Sequence, residues 1–398
     1  MTGLRRSGLP ALAAVHFCSS ASMRACDPML PALEQAFGVT TGRAALTISA
    51  YAVAYGLLQL LFGPLGDRFG KRRVIGYAAL GCVFGNLLAL AALSFDMLVV
   101  ARFCAGASAA GIIALVLAWV GDTVRYEDRQ VVLARFTMLS LGGMIAGQWV
   151  SGLLIEWFGW RSVFAVIAAV FCAGGLAITF NREVRSETVP PRSAQGHARD
   201  LLQVLAVPWA RWMLLLVMLE GAFAFSALAF LPAFLVSEFG LGLSAAAAIV
   251  ALYGVGGFFY AFLARRWLAV IGESGMVLAG GSALGIGWIV LALAARWELA
   301  VPAALVAGLG FYMLHGTLQT HATQMVPALR GTAVSLFAAT MFLGISAGVT
   351  LASSVVDLTG TRPVFLATAV VLAVLGALFA FSLRQRALAT SPAAIPRA

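Results

Sequence analysis

Twelve apolar runs divide this chain: 11–35, 44–65, 74–94, 97–121, 131–155, 162–180, 211–236, 245–264, 275–294, 299–322, 333–356 and 364–383. A bilayer core about 30 Å thick is crossed by roughly 20 helical residues, so each run is long enough to span it. Inside lipid only helices and closed barrels satisfy their own backbone, and these runs are continuous rather than alternating. The expected fold is an all-α membrane protein of twelve transmembrane helices. Composition agrees, because 62% of the 398 residues are hydrophobic and 11% are charged, against about 25% charged in soluble domains.

The net charge of +10 invites a nucleic-acid reading, but its placement argues for topology. Twelve crossings put both termini on one side, and 20 of the 26 Lys and Arg fall there. Arg43, Arg161, Arg296 and Arg362 lie opposite, while Arg24 and Arg102 lie within spans. Cations are retained on the cytoplasmic side, so both termini are expected inside a bacterial-type inner membrane, with no nucleic-acid partner. The opening MTGLRRSGLP has the basic start of a signal peptide. The run behind it reaches Arg24 and Asp27 without a convincing small-residue cleavage site, so it is expected to stay as the first span. Cys18, Cys26, Cys82, Cys104 and Cys172 all fall within spans and read as small apolar fillers rather than disulfides or a metal site.

The chain also repeats itself at a constant offset of 201 or 202 positions. LPAL at 30–33 returns as LPAF at 231–234, Tyr51 and Gly70 return as Tyr253 and Gly272, and Gly143, Gly147, Gly159 and Arg161 return as Gly344, Gly348, Gly360 and Arg362. Two parallel six-helix repeats are expected, over 1–180 and 211–398. The polar stretch NREVRSETVPPRSAQGHARD (181–200) lies within a 181–210 segment that reads as a cytoplasmic linker.

Between the second and third runs stands GPLGDRFGKRR (63–73). It resembles the loop signature of the major facilitator superfamily, and every position of that pattern is met from Gly63 and Leu65 through Asp67, Arg68, Gly70, Lys71 and Arg72. RFCAGASAAG (102–111) resembles the superfamily's Arg-x-x-x-Gly pattern, and DPMLPAL (27–33) resembles the Asp and Pro segment of twelve-span proton-driven drug and metabolite exporters. The resemblance covers nearly the whole chain and implies a major facilitator fold working as a secondary transporter. Two departures stand out. GGMIAGQWVSG (142–152) has Gln148 where the antiporter signature has Pro, and ARRWLAVIG (264–272) lacks the Asp of the loop motif. A gating latch is therefore expected in the first half alone, with the motif's cations holding carboxylates such as Asp122 or Glu127. A plain positive-inside anchor is the alternative.

Charge inside a membrane is costly and marks function by default. Arg24, Asp27, Arg102 and Glu220 qualify. Asp27 and Arg102 fall at similar depths, which makes them the expected ion pair, with Arg24 three positions from Asp27 as the rival partner. A carboxylate that exchanges a cation for a proton would couple protonation to transport, whereas a static pair would simply tie helices together. Glu220, with no cation in its own helix, suits a proton or substrate site. HGTLQTHATQ (315–324) places His315 and Gln319 on one face, and these are expected in the substrate cavity with Tyr51, Gln59, Gln148 and His16.

No phosphate-binding loop or HExxH occurs in the chain, so neither an enzyme nor an ATP-driven pump is expected, and no cofactor. The expected activity is proton-coupled export of a small amphipathic compound by a monomer whose partners are substrate, protons and lipid. The alternative is a facilitator or proton-linked importer of a sugar or organic acid.

Overall fold

The computed structural model describes residues 9–181 and 197–390, which are helical almost throughout and contain no strand. Half of the expected 181–210 linker, residues 182–196 with Pro190 and Pro191, lies outside the described residues. The helices are α1 (Leu9–Arg24), α2 (Leu30–Phe37), α3 (Thr41–Ala44), α4 (Leu46–Phe69), α5 (Lys71–Leu90), α6 (Phe95–Ala109), α7 (Ile112–Thr123), α8 (Tyr126–Phe158) and α9 (Arg161–Thr179). Then come α10 (His197–Ala206), α11 (Pro208–Phe239), α12 (Leu243–Leu293), α13 (Ala300–Ala322), α14 (Arg330–Thr359) and α15 (Arg362–Thr390). The end of the expected linker is therefore helical, as α10 and the first turn of α11.

Among the described residues, 10 helices are long and apolar enough to cross a membrane, not the twelve counted as apolar runs. The difference arises at two places. The first run is broken: α1 ends at Arg24, and a 3-10 turn over Asp27–Met29 precedes α2. Pro28 has no N–H with which to continue an α ladder, and Met29 N donates instead to Cys26 O at 3.1 Å. The eighth and ninth runs are two helices that meet at Gly272, which leaves helical geometry at φ 66°, ψ 177°, and they count together as the 51-residue α12.

The sequence repeat has a counterpart in the backbone. Gly38, Gly70, Gly159, Gly240, Gly272 and Gly360 have positive φ, and they form three pairs at the repeat offset. Close helix approaches recur in the same register. A Cβ on Gly147 would meet the Ala21 carbonyl oxygen and one on Gly348 the Ala222 carbonyl; likewise Gly106 meets Tyr51 and Gly308 meets Tyr253. Membrane helices gain dispersion energy by approaching this closely where small residues allow it. Within the first repeat, α1 packs on α8 and α9, and α6 on α4 and α5; in the second, α11 packs on α14 and α12 on α13 and α15. The repeats meet where α4 packs on α14 and α8 on α12. There Ser346 Oγ donates to Ser49 O at 3.0 Å and Tyr55 stacks on Phe342 at 4.1 Å.

Candidate functional site

The break after α1 turns two charges onto one another. Arg24 Nη2 lies 2.7 Å from Asp27 Oδ2, and both side chains are sealed from solvent. The same oxygen accepts from Gln148 Nε2 of α8 at 3.3 Å, while Asp27 Oδ1 has no hydrogen-bond partner among the described residues. The Arg24 guanidinium carbon stands 4.9 Å from the ring centre of Phe225, so this pair reaches across to α11 of the other repeat.

The expected Asp27–Arg102 pair is not what forms. Arg102 is fully buried, but its Nη2 donates to Ser22 O at 3.0 Å and its guanidinium carbon lies 4.4 Å from the Tyr51 ring centre. Equal depth along two helices fixes height and leaves azimuth open, and Arg24 wins through its i,i+3 position on the broken span.

A second pair, built on a buried carboxyl, stands in the other repeat. His315 Nδ1 lies 2.8 Å from Glu220 Oε2, with Glu220 wholly buried and Glu220 Oε1 without a partner among the described residues. His315 stacks on Phe311 at 5.1 Å, and Phe311 in turn packs edge-on against Phe225 at 5.3 Å. A contiguous chain of groups thus runs from Asp27 through Arg24, Phe225, Phe311 and His315 to Glu220. Taking a carboxylate out of water is expensive unless it is paired, and here each carboxyl has a single cationic or potentially cationic partner and one free oxygen.

The other expected cavity residues separate. His16 Nε2 lies 2.6 Å from Ser140 Oγ and 3.1 Å from Phe136 O, fully buried between α1 and α8, so it ties those helices together instead of facing a cavity. Gln59 is buried and its Oε1 has no partner among the described residues, while Tyr51 lies beneath Arg102. Gln319 is exposed near the end of α13, one turn beyond His315.

At the 63–73 loop, Gly70 makes the α4–α5 turn at φ 91°, a conformation that favours glycine. Lys71 Nζ bridges Asp67 Oδ1 at 3.1 Å and Asp122 Oδ2 at 2.6 Å, joining α4, α5 and α7. Arg72 faces Trp119, with its guanidinium carbon 5.7 Å from the ring centre, and Arg68 faces Phe69. Gly63 is helical with open space around it. The side chain of Glu127, the alternative partner, lies outside the described residues. The expectation that only the first half holds such a contact is corrected: Glu273 Oε2, directly after Gly272, lies 3.0 Å from His321 Nε2 of α13. Glu273 is the repeat mate of Lys71, so the second contact occupies the equivalent place with its polarity reversed.

The Major Facilitator Superfamily model matches residues 12–348, and again 213–396. The chain belongs to this superfamily. Among its curated relatives, an MFS-type transporter, YceJ of Bacillus subtilis, is 25% identical over 82% of this chain and 83% of its own length. The bicyclomycin resistance protein homolog of Haemophilus influenzae is 26% identical over 84% of this chain and 85% of its own. Several other curated relatives are matched over less than half of their own length. Among solved structures, the nucleoside transporter NupG superposes with a TM-score of 0.75 at 15% identity, covering 94% of this chain and 97% of that one. That likeness concerns the fold. As a superfamily member the chain is an integral membrane transporter that handles a small molecule.

Three features of this transporter escaped motif reading. Gln148, noticed as a departure from a pattern, turns out to hold Asp27. Phe225 and Phe311, two apolar residues among many, link the buried pairs. Glu273 was one residue beyond the stretch compared with the loop motif, and the repeat offset alone would have pointed from Lys71 to it.

Proposed function

We propose that this transporter is a proton-coupled exporter, an antiporter of a small amphipathic compound, working as a monomer in a bacterial-type inner membrane with both termini cytoplasmic. The observation that carries this reading is the presence of two buried carboxyls, Asp27 against Arg24 and Glu220 against His315, one in each repeat and linked through Phe225 and Phe311. Transporters of this architecture bind substrate and ion near the midplane where the repeats meet. A carboxyl that holds a proton in one orientation and a cation in the other gives each orientation its own free energy, which is what coupling requires. The halves 1–180 and 211–398, joined by the 181–210 linker, would rock about that site. Export draws support from the name of the bicyclomycin resistance relative.

A second reading, a facilitator or proton-linked importer of a sugar or organic acid, is favoured by Gln148, which takes the place of the antiporter signature's Pro and binds Asp27 instead. Purified protein in liposomes under an imposed pH gradient separates these readings by the direction of substrate movement. Asp27→Asn and Glu220→Gln are then compared. The proton carrier is the position whose variant loses gradient-driven movement while keeping exchange, and full coupling in both variants would overturn the proton assignment.

A further inference from the structure

On the face opposite the 63–73 loop, two contacts cross from one repeat to the other. Asp357, at the end of α14, accepts from Gly42 N on Oδ1 at 2.8 Å and from Thr40 Oγ1 on Oδ2 at 2.7 Å. Gly42 and Thr40 sit where the span Thr41–Phe69 begins. Glu156, at the end of α8, accepts on Oε2 from Ser244 N at 2.8 Å, where α12 begins. The first N–H groups of any helix have no partner inside the helix and carry partial positive charge. At α12 the N-cap is Gly242, which has no side chain to cap with, so the cap comes from the other repeat.

The two contacts are repeat mates. Glu156 corresponds to Asp357, Gly42 to Ser244 and Thr40 to Gly242, all at the offset of 201 or 202 that relates the repeats. The approach at Gly42 is so close that a Cβ there would collide with the Ser353 carbonyl oxygen and the Asp357 carboxylate. Neighbouring charges stay within their own repeat: Arg362 Nη2 binds Glu238 Oε1 at 2.5 Å, and Arg161 Nη2 donates to Ala92 O at 2.8 Å. Those contacts can survive a rigid-body separation of the repeats, whereas the two caps cannot.

We propose that Glu156 and Asp357 form a reciprocal clasp, each carboxylate capping the first turn of the other repeat's helix, and that both caps release when this face opens. The clasp closes the end opposite the Lys71 latch, which is the outer face if the topology proposed above holds. Because the caps are charge-assisted and stand at separate helix ends, each contributes independently to the closed state.

The test uses spin labels at Leu93→Cys and Ala295→Cys, two exposed positions on this face and in different repeats, in full-length protein whose five native cysteines are replaced, reconstituted in lipid nanodiscs. Glu156→Gln and Asp357→Asn are each expected to raise the ratio of long to short inter-label distances several-fold, and the double variant by about the product of the two. Ser244→Pro removes the N–H given to Glu156 at a first-turn position that tolerates proline, and is expected to reproduce Glu156→Gln without touching a carboxylate. Glu238→Gln, which breaks a contact within one repeat, should leave the distribution unchanged. An unaltered distribution in both the double variant and Ser244→Pro overturns the clasp, as does an equal shift in Glu238→Gln. Distances read the clasp whatever is transported, so failure of the proton reading in liposomes would leave this result intact, and the converse.

Discussion

Arg24→Met takes the cation away from Asp27 while keeping an unbranched side chain against the Phe225 ring. The two charges are exposed by only 2% and 0%, so solvent screens neither. Removing one member of such a pair strands the other, at about 3–5 kcal/mol. The remaining donor, Gln148 Nε2 at 3.3 Å, is long and offsets about 1 kcal/mol, which leaves an expected net loss of about 2–4 kcal/mol. Asp27→Asn in the same chain removes the stranded charge, so the double variant should recover most of that loss and give a coupling energy of about 2–3 kcal/mol. Arg102→Met is also expected to destabilise, since it forfeits the bond to Ser22 O and the stacking on Tyr51, but Asp27→Asn should not rescue it. Unfolding of the purified variants in mixed micelles, titrated with a denaturing detergent, measures all of these proteins on one scale. Rescue of Arg102→Met but not of Arg24→Met by Asp27→Asn would refute the pairing and restore the one expected from helix depth.

Lys71→Met breaks contacts to both Asp67 and Asp122, whose side chains are 42% and 62% exposed; each such contact is worth about 0–1 kcal/mol, so stability should hardly change. Thiol-probe accessibility where α4, α5 and α7 meet should nevertheless rise up to several-fold, and unchanged accessibility would reduce the motif to an anchor. Glu273 Oε2 lies 3.0 Å from His321 Nε2, and Trp209, with Arg386 behind it, and Phe379 pack against the same ring. Accessibility beside Gly272 should therefore increase in Glu273→Gln, and unchanged accessibility in that variant would contradict this. Gly147→Ala forces a Cβ onto the Ala21 carbonyl and should cost about 1–3 kcal/mol. Gly63→Ala, with open space around it in a helix, should stabilise by about 0.5–1 kcal/mol, and a loss of stability there would mean that Gly63 serves a packing role.

Much of the fold was legible because lipid enforces simple rules. Hydrophobic run length specified the spans, and the constant offset specified the repeat, whose three pairs of positive-φ glycines then appeared in the backbone. The helix count diverged where hydropathy is blind to backbone geometry. Pro28 breaks an apolar run after α1, and at Gly272 the helices of two runs join with no loop between them. The candidate site was legible in its members more than in its pairings. Asp27, Arg24, Glu220, His315 and Gln148 were all singled out as polar groups in an apolar setting. That Gln148 binds Asp27, that Glu220 binds His315 and that His16 merely joins α1 to α8 could not be read, since each depends on which helices are neighbours.

What the sequence determines by itself is therefore whatever is local or periodic: membrane residence from run length, repeat from offset, turns from glycine, and superfamily from the 63–73 loop. What only the tertiary structure decides is which distant groups meet. Asp27 and Gln148 are 121 positions apart, Glu220 and His315 are 95 apart, and Gly42 and Asp357 are 315 apart. A charge in lipid must find a partner, but spacing along the chain fixes only its depth and face on its own helix. The rotation and neighbours of that helix are set by packing, where glycines such as Gly147 and Gly348 let backbones touch, and it is this packing that brings Gln148 to Asp27 and leaves Arg102 on Tyr51.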